Sequence, residues 1–199
     1  MAVITMPSAG IRSIKWEIDV PSQLVRSDWT GRTSILLNGA ARRYATVTVV
    51  ANKAGALLPW RAFTASARGR VNVFALVAVE TPQTAATGAV VDGAGQTGSI
   101  INLRGLPASS VVLPAGALIH IASTYADWQM FELVAPLVSN SAGKAPANFG
   151  TPVRSSYADG IGVELANPAA IMRLAVTRTG WTVEPGVYTP GSFDCEESF

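Results

Sequence analysis

Cysteine and histidine each occur once in these 199 residues, as Cys195 and His120. A disulfide within the chain is therefore excluded, which fits folding in a reducing compartment. One His and one Cys cannot supply the usual ligand cluster of a zinc site, and neither a metal nor another cofactor is expected. Charge is scarce too. Asp, Glu, Lys and Arg make up 14%, against about 25% in ordinary soluble domains. Neutral or apolar surface on that scale marks contact with other subunits, so an assembled state is expected. Long apolar runs are also missing. Stretches such as 47–51 and 111–121 are broken by Pro, Gly or polar residues, well short of the roughly 20 residues a membrane helix needs. No membrane partner is expected. The opening MAVITMPSAG has no basic leader and no long apolar run, so it does not read as a secretory signal.

The charges that are present are unevenly placed. Residues 1–80 hold ten basic and four acidic side chains, and residues 180–199 hold Glu184, Asp194, Glu196 and Glu197 with no basic residue. Twelve of the fifteen basic residues are Arg, the type suited to bidentate interface contacts. Two readings stand side by side. Basic and acidic faces of neighbouring protomers meet in a ring, or the acidic tail neutralises the basic face of its own chain.

The first third reads as strands with one helix. Apolar and charged residues alternate through Ile14-Lys15-Trp16-Glu17-Ile18-Asp19-Val20, the period of a half-buried strand, and Pro21 ends it. Ser27-Asp28-Trp29-Thr30-Gly31 supplies turn residues. Residues 33–37 and 43–50 are β-rich and separated by Asn38-Gly39, a strong hairpin signal. In the second run Tyr44, Thr46, Thr48 and Val50 fall on one face, with Ala45, Val47 and Val49 on the other. The period then changes. Trp60, Phe63 and Ala67 share a helical face across 57–69, with Pro59 expected in the first turn and Gly69 just past the end. A strand is expected over 71–79. Residues 81–98, rich in Thr, Ala and Gly, lead into a second unit. Strands are expected at 99–103, 117–123, 128–134, 162–165, 171–177 and 181–199, and a turn-rich stretch at 139–151.

Motifs that could carry chemistry lack their context. Gly93-Ala94-Gly95-Gln96-Thr97-Gly98 matches the spacing of a dinucleotide fingerprint, but that mechanism needs a helix N-terminus after the glycines. Ser99-Ile100-Ile101-Asn102-Leu103-Arg104 is β-like instead, and no Asp or Glu stands about 20 residues on. A glycine-rich turn is the better reading. His120 lies in the alternating Leu118-Ile119-His120-Ile121, and no serine lies in a GxSxG elbow, so a structural histidine is expected. Asp127, Glu132, Asp159 and Glu164 are dispersed along the chain, and a glycosidase pair forms only in three dimensions. Arg42-Arg43-Tyr44 and Arg68-Gly69-Arg70 are the only close basic groups, too sparse for a nucleic-acid footprint. Of the tryptophans Trp16, Trp29, Trp60, Trp128 and Trp181, core packing accounts for most. Trp29, in a turn, is the candidate interface anchor. No catalytic site is expected.

The order of features is more specific than any one of them. Trp16 in a first strand is followed by Trp29-Thr30-Gly31, then Trp60-Arg61-Ala62-Phe63, then Arg68-Gly69-Arg70-Val71-Asn72-Val73-Phe74. Gly95-Gln96-Thr97-Gly98-Ser99, Gly105-Leu106-Pro107 and Leu113-Pro114-Ala115-Gly116 occupy the middle. Arg173-Leu174 and Gly180-Trp181-Thr182-Val183-Glu184-Pro185-Gly186 close the chain. In this order the chain resembles distal tail proteins, the tail-tip or baseplate components of long, non-contractile-tailed bacteriophages (siphophages). It departs from that group at Ala117, where an acidic residue is usual, and at Leu106, often Trp.

The resemblance implies a non-enzymatic virion structural protein of the tail tip, assembled in the host cytoplasm. It implies a homo-oligomer, a hexameric ring, with the tail tube protein on one face and the baseplate hub protein on the other. Other tail-tip or receptor-binding proteins are further partners. The fold expected is mainly β. A tail-tube-like β-sandwich with one short helix, from residues 1–79 plus 168–199, carries an inserted small β-barrel domain over 80–167. The rival reading makes the insert a host-surface carbohydrate-binding module, with Tyr125, Trp128 and Tyr157 as its aromatic platform.

Overall fold

The computed structural model describes residues 2–37, 41–51, 54–121, 128–178, 180, 182–184 and 187–198. Its strands begin with β1 (Val3–Ile4), β2 (Ile11–Asp19), β3 (Ser22–Arg26), β4 (Thr33–Leu37) and β5 (Arg42–Ala51), followed by helix α1 (Ala54–Ala67) and β6 (Val73–Val77). The middle holds β7 (Val90–Val91), β8 (Ile100–Arg104), β9 (Val111–Leu113), β10 (Leu118–Ile121), β11 (Gln129–Glu132), β12 (Leu137–Val138), β13 (Ala145–Asn148) and β14 (Val163–Glu164). The last strands are β15 (Ala169–Leu174), β16 (Thr182–Glu184) and β17 (Val187–Glu197). The protein is mainly β, and among the described residues none of its several sheets closes into a barrel.

The largest sheet runs β1-β6-β15-β17-β5-β2, with β16 paired to β17. Both ends of the chain therefore contribute, and β17 lies between β15 and β5. Alternation in β5 drives this placement. Ala41, Arg43, Ala45, Val47 and Val49 are buried on one face, and Arg42, Tyr44, Thr46, Thr48 and Val50 are half-buried on the other.

Helix α1 covers part of the buried face with Leu57, Trp60, Phe63 and Ala67. Phe63 meets Phe74 edge-on at 5.0 Å and Trp60 at 5.9 Å, and Phe193 lies 5.9 Å from both Trp60 and Phe63. Each such pair contributes about 0.5–1.5 kcal/mol beyond area burial. Trp60 Nε1 donates to the Ala9 carbonyl at 2.9 Å, so the indole is buried with its polar atom satisfied. The helix begins five residues before Pro59, not at the first turn expected there. Pro59 is tolerated because it removes a single N–H in a helix whose apolar face is well covered. Arg68 and Gly69, with φ of 49° and 65°, end it.

A second set of sheets, β11-β10-β14, β13-β8-β7 and β12-β9, surrounds a separate cluster of buried residues drawn only from 89–165. Ile119, Ile121, Phe131 and Val163 point into that cluster. Leu118 and Met130, on the opposite face of the same strands, pack against the cluster beneath the large sheet. Strands β10 and β11 thus form a seam between two cores.

Two expectations are corrected. Residues 33–37 do not pair with 43–50; β4 pairs with β3, and β5 pairs with β2 and β17. The hairpin turn is Ser27–Gly31, and Asn38-Gly39 lies outside the described residues. The turn-rich stretch 139–151 contains β13, paired along β8 from Ala145↔Leu103 to Asn148↔Ile100. Pro146 fits there because β13 is an edge strand, where no ladder N–H is required.

Candidate functional site

The most unusual surface is the β3–β4 hairpin. It continues the pairing of β2 with β5 but forms a two-stranded sheet of its own. From Ser22 to Leu36 every residue is exposed except Ser27, which is half-buried. At its turn the Gly31 N–H donates to Ser27 O and the Ser27 N–H to Arg32 O, both at 2.9 Å. Gly31 sits at φ +64°, a left-handed backbone that glycine adopts without steric cost. The Ser27 hydroxyl accepts from the Thr30 N–H at 3.3 Å.

This local chemistry presents Trp29 at the tip, 97% exposed. Leu24 pairs with Ile35 on one face, while Val25 and Leu36 lie on the other. Their exposures are 64%, 66%, 44% and 52% in that order. Apolar residues on both faces are the pattern of a strand covered on both sides. A lone two-stranded hairpin is at best marginally stable in water. We call this element the arm. Composition alone did not reveal it; the adjacency of Leu24-Val25 and Ile35-Leu36 to a turn holding Trp29 was the available signal.

The seam is built differently. Arg154 donates from Nη1 to Glu197 Oε1 at 3.0 Å and from Nη2 to Glu197 Oε2 at 2.6 Å, and also from Nη2 to Ala41 O at 2.6 Å. The Arg43 N–H donates to Glu197 Oε2 at 3.0 Å, and Arg43 Nε to Met130 O at 3.4 Å. Burial lowers the pKa of the Arg43 guanidinium, opposed by the nearby Glu197 and Glu132 carboxylates. Glu197 is 1% exposed, and these donors satisfy both of its carboxylate oxygens.

At the other end of the seam His120 stacks on Trp128, 4.4 Å between ring centroids and 20° between planes. His120 Nδ1 accepts from the Ala169 N–H at 3.0 Å, and Trp128 Nε1 donates to Ala169 O at 2.7 Å. Burial pushes the His120 pKa down to about 4, against the opposing pull of Glu164. An imidazole whose Nδ1 is engaged by backbone in this way acts as a structural clamp.

The other sequence candidates separate. Gly93, Gly95 and Gly98 all have positive φ in a turn between β7 and β8, and a strand follows them. Gln96 ties this turn down, donating to the Asp92 and Gly93 carbonyls and accepting from the Asn102 N–H. Asp92 pairs with Lys144 at 2.8 Å and Arg104 at 3.3 Å, and Arg104 also pairs with Asp159 at 2.6 Å. These partners hold both Asp92 and Asp159 below the usual carboxylate range. Glu164 accepts from the Ala166 and Asn167 N–H groups. Glu132 and Glu164 flank β10 from different rows, opposite Leu118 and His120. Asp127, Tyr125 and Trp181 lie outside the described residues. Tyr157 is 2% exposed and Trp128 faces the seam, so these two do not form an exposed aromatic platform.

Glu196 and Glu197 of the acidic tail pair with arginines of their own chain. Glu196 lies 2.8 Å from Arg173 and 3.9 Å from Arg42, and Glu197 is held by Arg154. Asp194 accepts from the Thr46 hydroxyl at 2.7 Å. Arg68 and Arg70 are exposed and Arg43 is buried. Among the described residues no group of three or more His, Cys, Asp or Glu is placed to hold a metal ion. No described helix is long and apolar enough to cross a membrane. No protein-family model matches this chain, and no curated protein sequence matches it.

Proposed function

We propose that this chain is a structural subunit of a long, non-contractile phage tail, a distal tail protein that forms a ring between the tail tube and the baseplate hub. The arm carries this reading. A hairpin with apolar residues on both faces and a fully exposed tryptophan is stable when another molecule covers it. The sequence resemblance to distal tail proteins supports the same conclusion from the order of motifs along the whole chain.

In this reading residues 1–79 and 168–199 build the ring and 80–167 form an inserted, barrel-like unit. Support comes from the two buried clusters, one confined to 89–165 and the other drawn mainly from 45–76 and 170–195. The Arg154–Glu197 and Trp128–His120–Ala169 contacts would hold the two units at one fixed angle, as a rigid joint requires. The test is light-scattering mass of the purified full chain, with negative-stain images viewed down the ring axis. A six-membered ring is expected. A chain that stays monomeric at high concentration and is missing from the tail tip in images of intact particles refutes the proposal.

A further inference from the structure

Four exposed arginines, Arg61, Arg68, Arg70 and Arg178, gather where the C-terminal half of α1 meets the segment after β15. Arg61 and Arg178 line one pocket, together with Thr64 and Val176. Arg68 follows Arg61 by seven residues, two helical turns and about 10 Å along the same side of the helix. Gly69 packs on the neighbouring segment, since a Cβ there would stand 3.5 Å from the Thr177 Cα. Arg70 reaches across it, donating from Nη2 to Ala175 O. The four side chains therefore rise from two adjoining stretches, 61–70 and 175–178, and form one face.

The chain's own carboxylates do not answer this charge. They pair with Lys15, Arg42, Arg104, Lys144, Arg154 and Arg173, and among the described residues none reaches Arg68, Arg70 or Arg178. Among the described residues Asp194 is the one carboxylate lining the shared pocket, and its Oδ1 accepts from the Thr46 hydroxyl.

We propose that this face docks an acidic segment of another protein, whose Asp and Glu side chains pair with Arg68, Arg70 and Arg178. The planar guanidinium fork matches a carboxylate bidentately. Val71 and Val176, exposed at 56% and 41%, set apolar surface among the charges, and Arg beside apolar side chains is the composition of a protein interface. A nucleic acid fits less well. Single strands stack on exposed aromatic rings, but Trp60 beneath this face is 2% exposed. Duplex footprints neutralise about 6–10 phosphates, more than these arginines supply. The inference goes beyond the ring reading and does not depend on it.

The test titrates the full chain into a fluorescein-labelled glutamate decapeptide and reads anisotropy at low and moderate salt. Binding that weakens as salt rises is expected. Arg68→Glu combined with Arg178→Glu weakens it at least about tenfold. Arg68→Gln combined with Arg178→Gln weakens it less, and circular dichroism of both doubles is unchanged. Arg12→Glu combined with Lys15→Glu makes the same change in net charge on the exposed strand β2 and leaves binding within about twofold. Equal loss in the two Glu doubles traces the attraction to net charge and overturns the inference, as does a wild type that does not bind. Tighter binding of a ten-nucleotide single strand, lost in the Arg68/Arg178 doubles, assigns the face to nucleic acid and overturns it. Loss of self-association in those doubles, read by light scattering, assigns the face to a second copy and also overturns it. Mass and tail images of the wild type decide the ring reading separately.

Discussion

Substituting Arg154 by Met removes both guanidinium hydrogen bonds to Glu197 and the one to Ala41 O. Glu197 stays in place, 1% exposed, with the Arg43 N–H as a remaining donor. Breaking a buried ion pair from one side leaves an uncompensated charge and costs about 3–5 kcal/mol. For a chain of this size that lowers Tm by roughly 6–20 °C. Substituting Glu197 by Leu has a comparable effect, because it strands the Arg154 guanidinium, whose side chain is 14% exposed. The double variant removes both charges. It costs less than the sum of the two singles, by about 1.5–3 kcal/mol, because no buried charge is left alone. Urea denaturation of the four proteins, followed by tryptophan fluorescence and near-ultraviolet circular dichroism, gives the coupling directly. Additive losses, or a single substitution costing under about 1 kcal/mol, would refute the claim that this pair locks the seam.

Other perturbations probe the same framework. The folded His120 pKa of about 4 lies below its ordinary value of 6.5, so the unfolded chain binds more protons between those values. The stabilisation from neutral His120 is complete above about pH 6.5 and is lost as pH falls toward 4, on the order of 3 kcal/mol in all. His120→Asn, which retains an acceptor for the Ala169 N–H, flattens the stability profile across that window in denaturant titrations at several pH values. Burial pushes the Cys195 thiol up to about 12, so thiol reagents at pH 8 leave the native protein unlabelled and modify one thiol per chain in urea. Gly105 sits at φ +79°, and an added Cβ would lie 2.6 Å from Gly88 O. Gly105→Ala therefore destabilises by about 2–4 kcal/mol in thermal melts, whereas a change of only a few tenths would mean the 88–105 approach relaxes.

Strand periodicity was readable where one face is buried. The alternation of Tyr44, Thr46, Thr48 and Val50 with Ala45, Val47 and Val49 marked both faces of β5, and Trp60, Phe63 and Ala67 marked the helix face. Hairpin partners were not readable. Asn38-Gly39 outweighed Ser27–Gly31 as a turn signal, yet pairing is decided by which strand edges meet, not by the strongest local turn. The short strands β7, β9, β12 and β13 escaped for a related reason: two to four residues carry too little pattern, and non-local ladder bonds define them.

The sequence by itself determined that this chain is β-rich, has no internal disulfide and carries few charges. Those properties depend only on which side chains exist and how they alternate. Tertiary structure alone decided that Trp29 stands in solvent while Trp60 is buried, and that Glu197 meets Arg154 across 43 residues. It also decided that His120 Nδ1 accepts from the Ala169 amide, 49 residues away in sequence. Burial and charge pairing depend on distances between segments far apart in sequence, and those distances arise only when the sheets close on their cores.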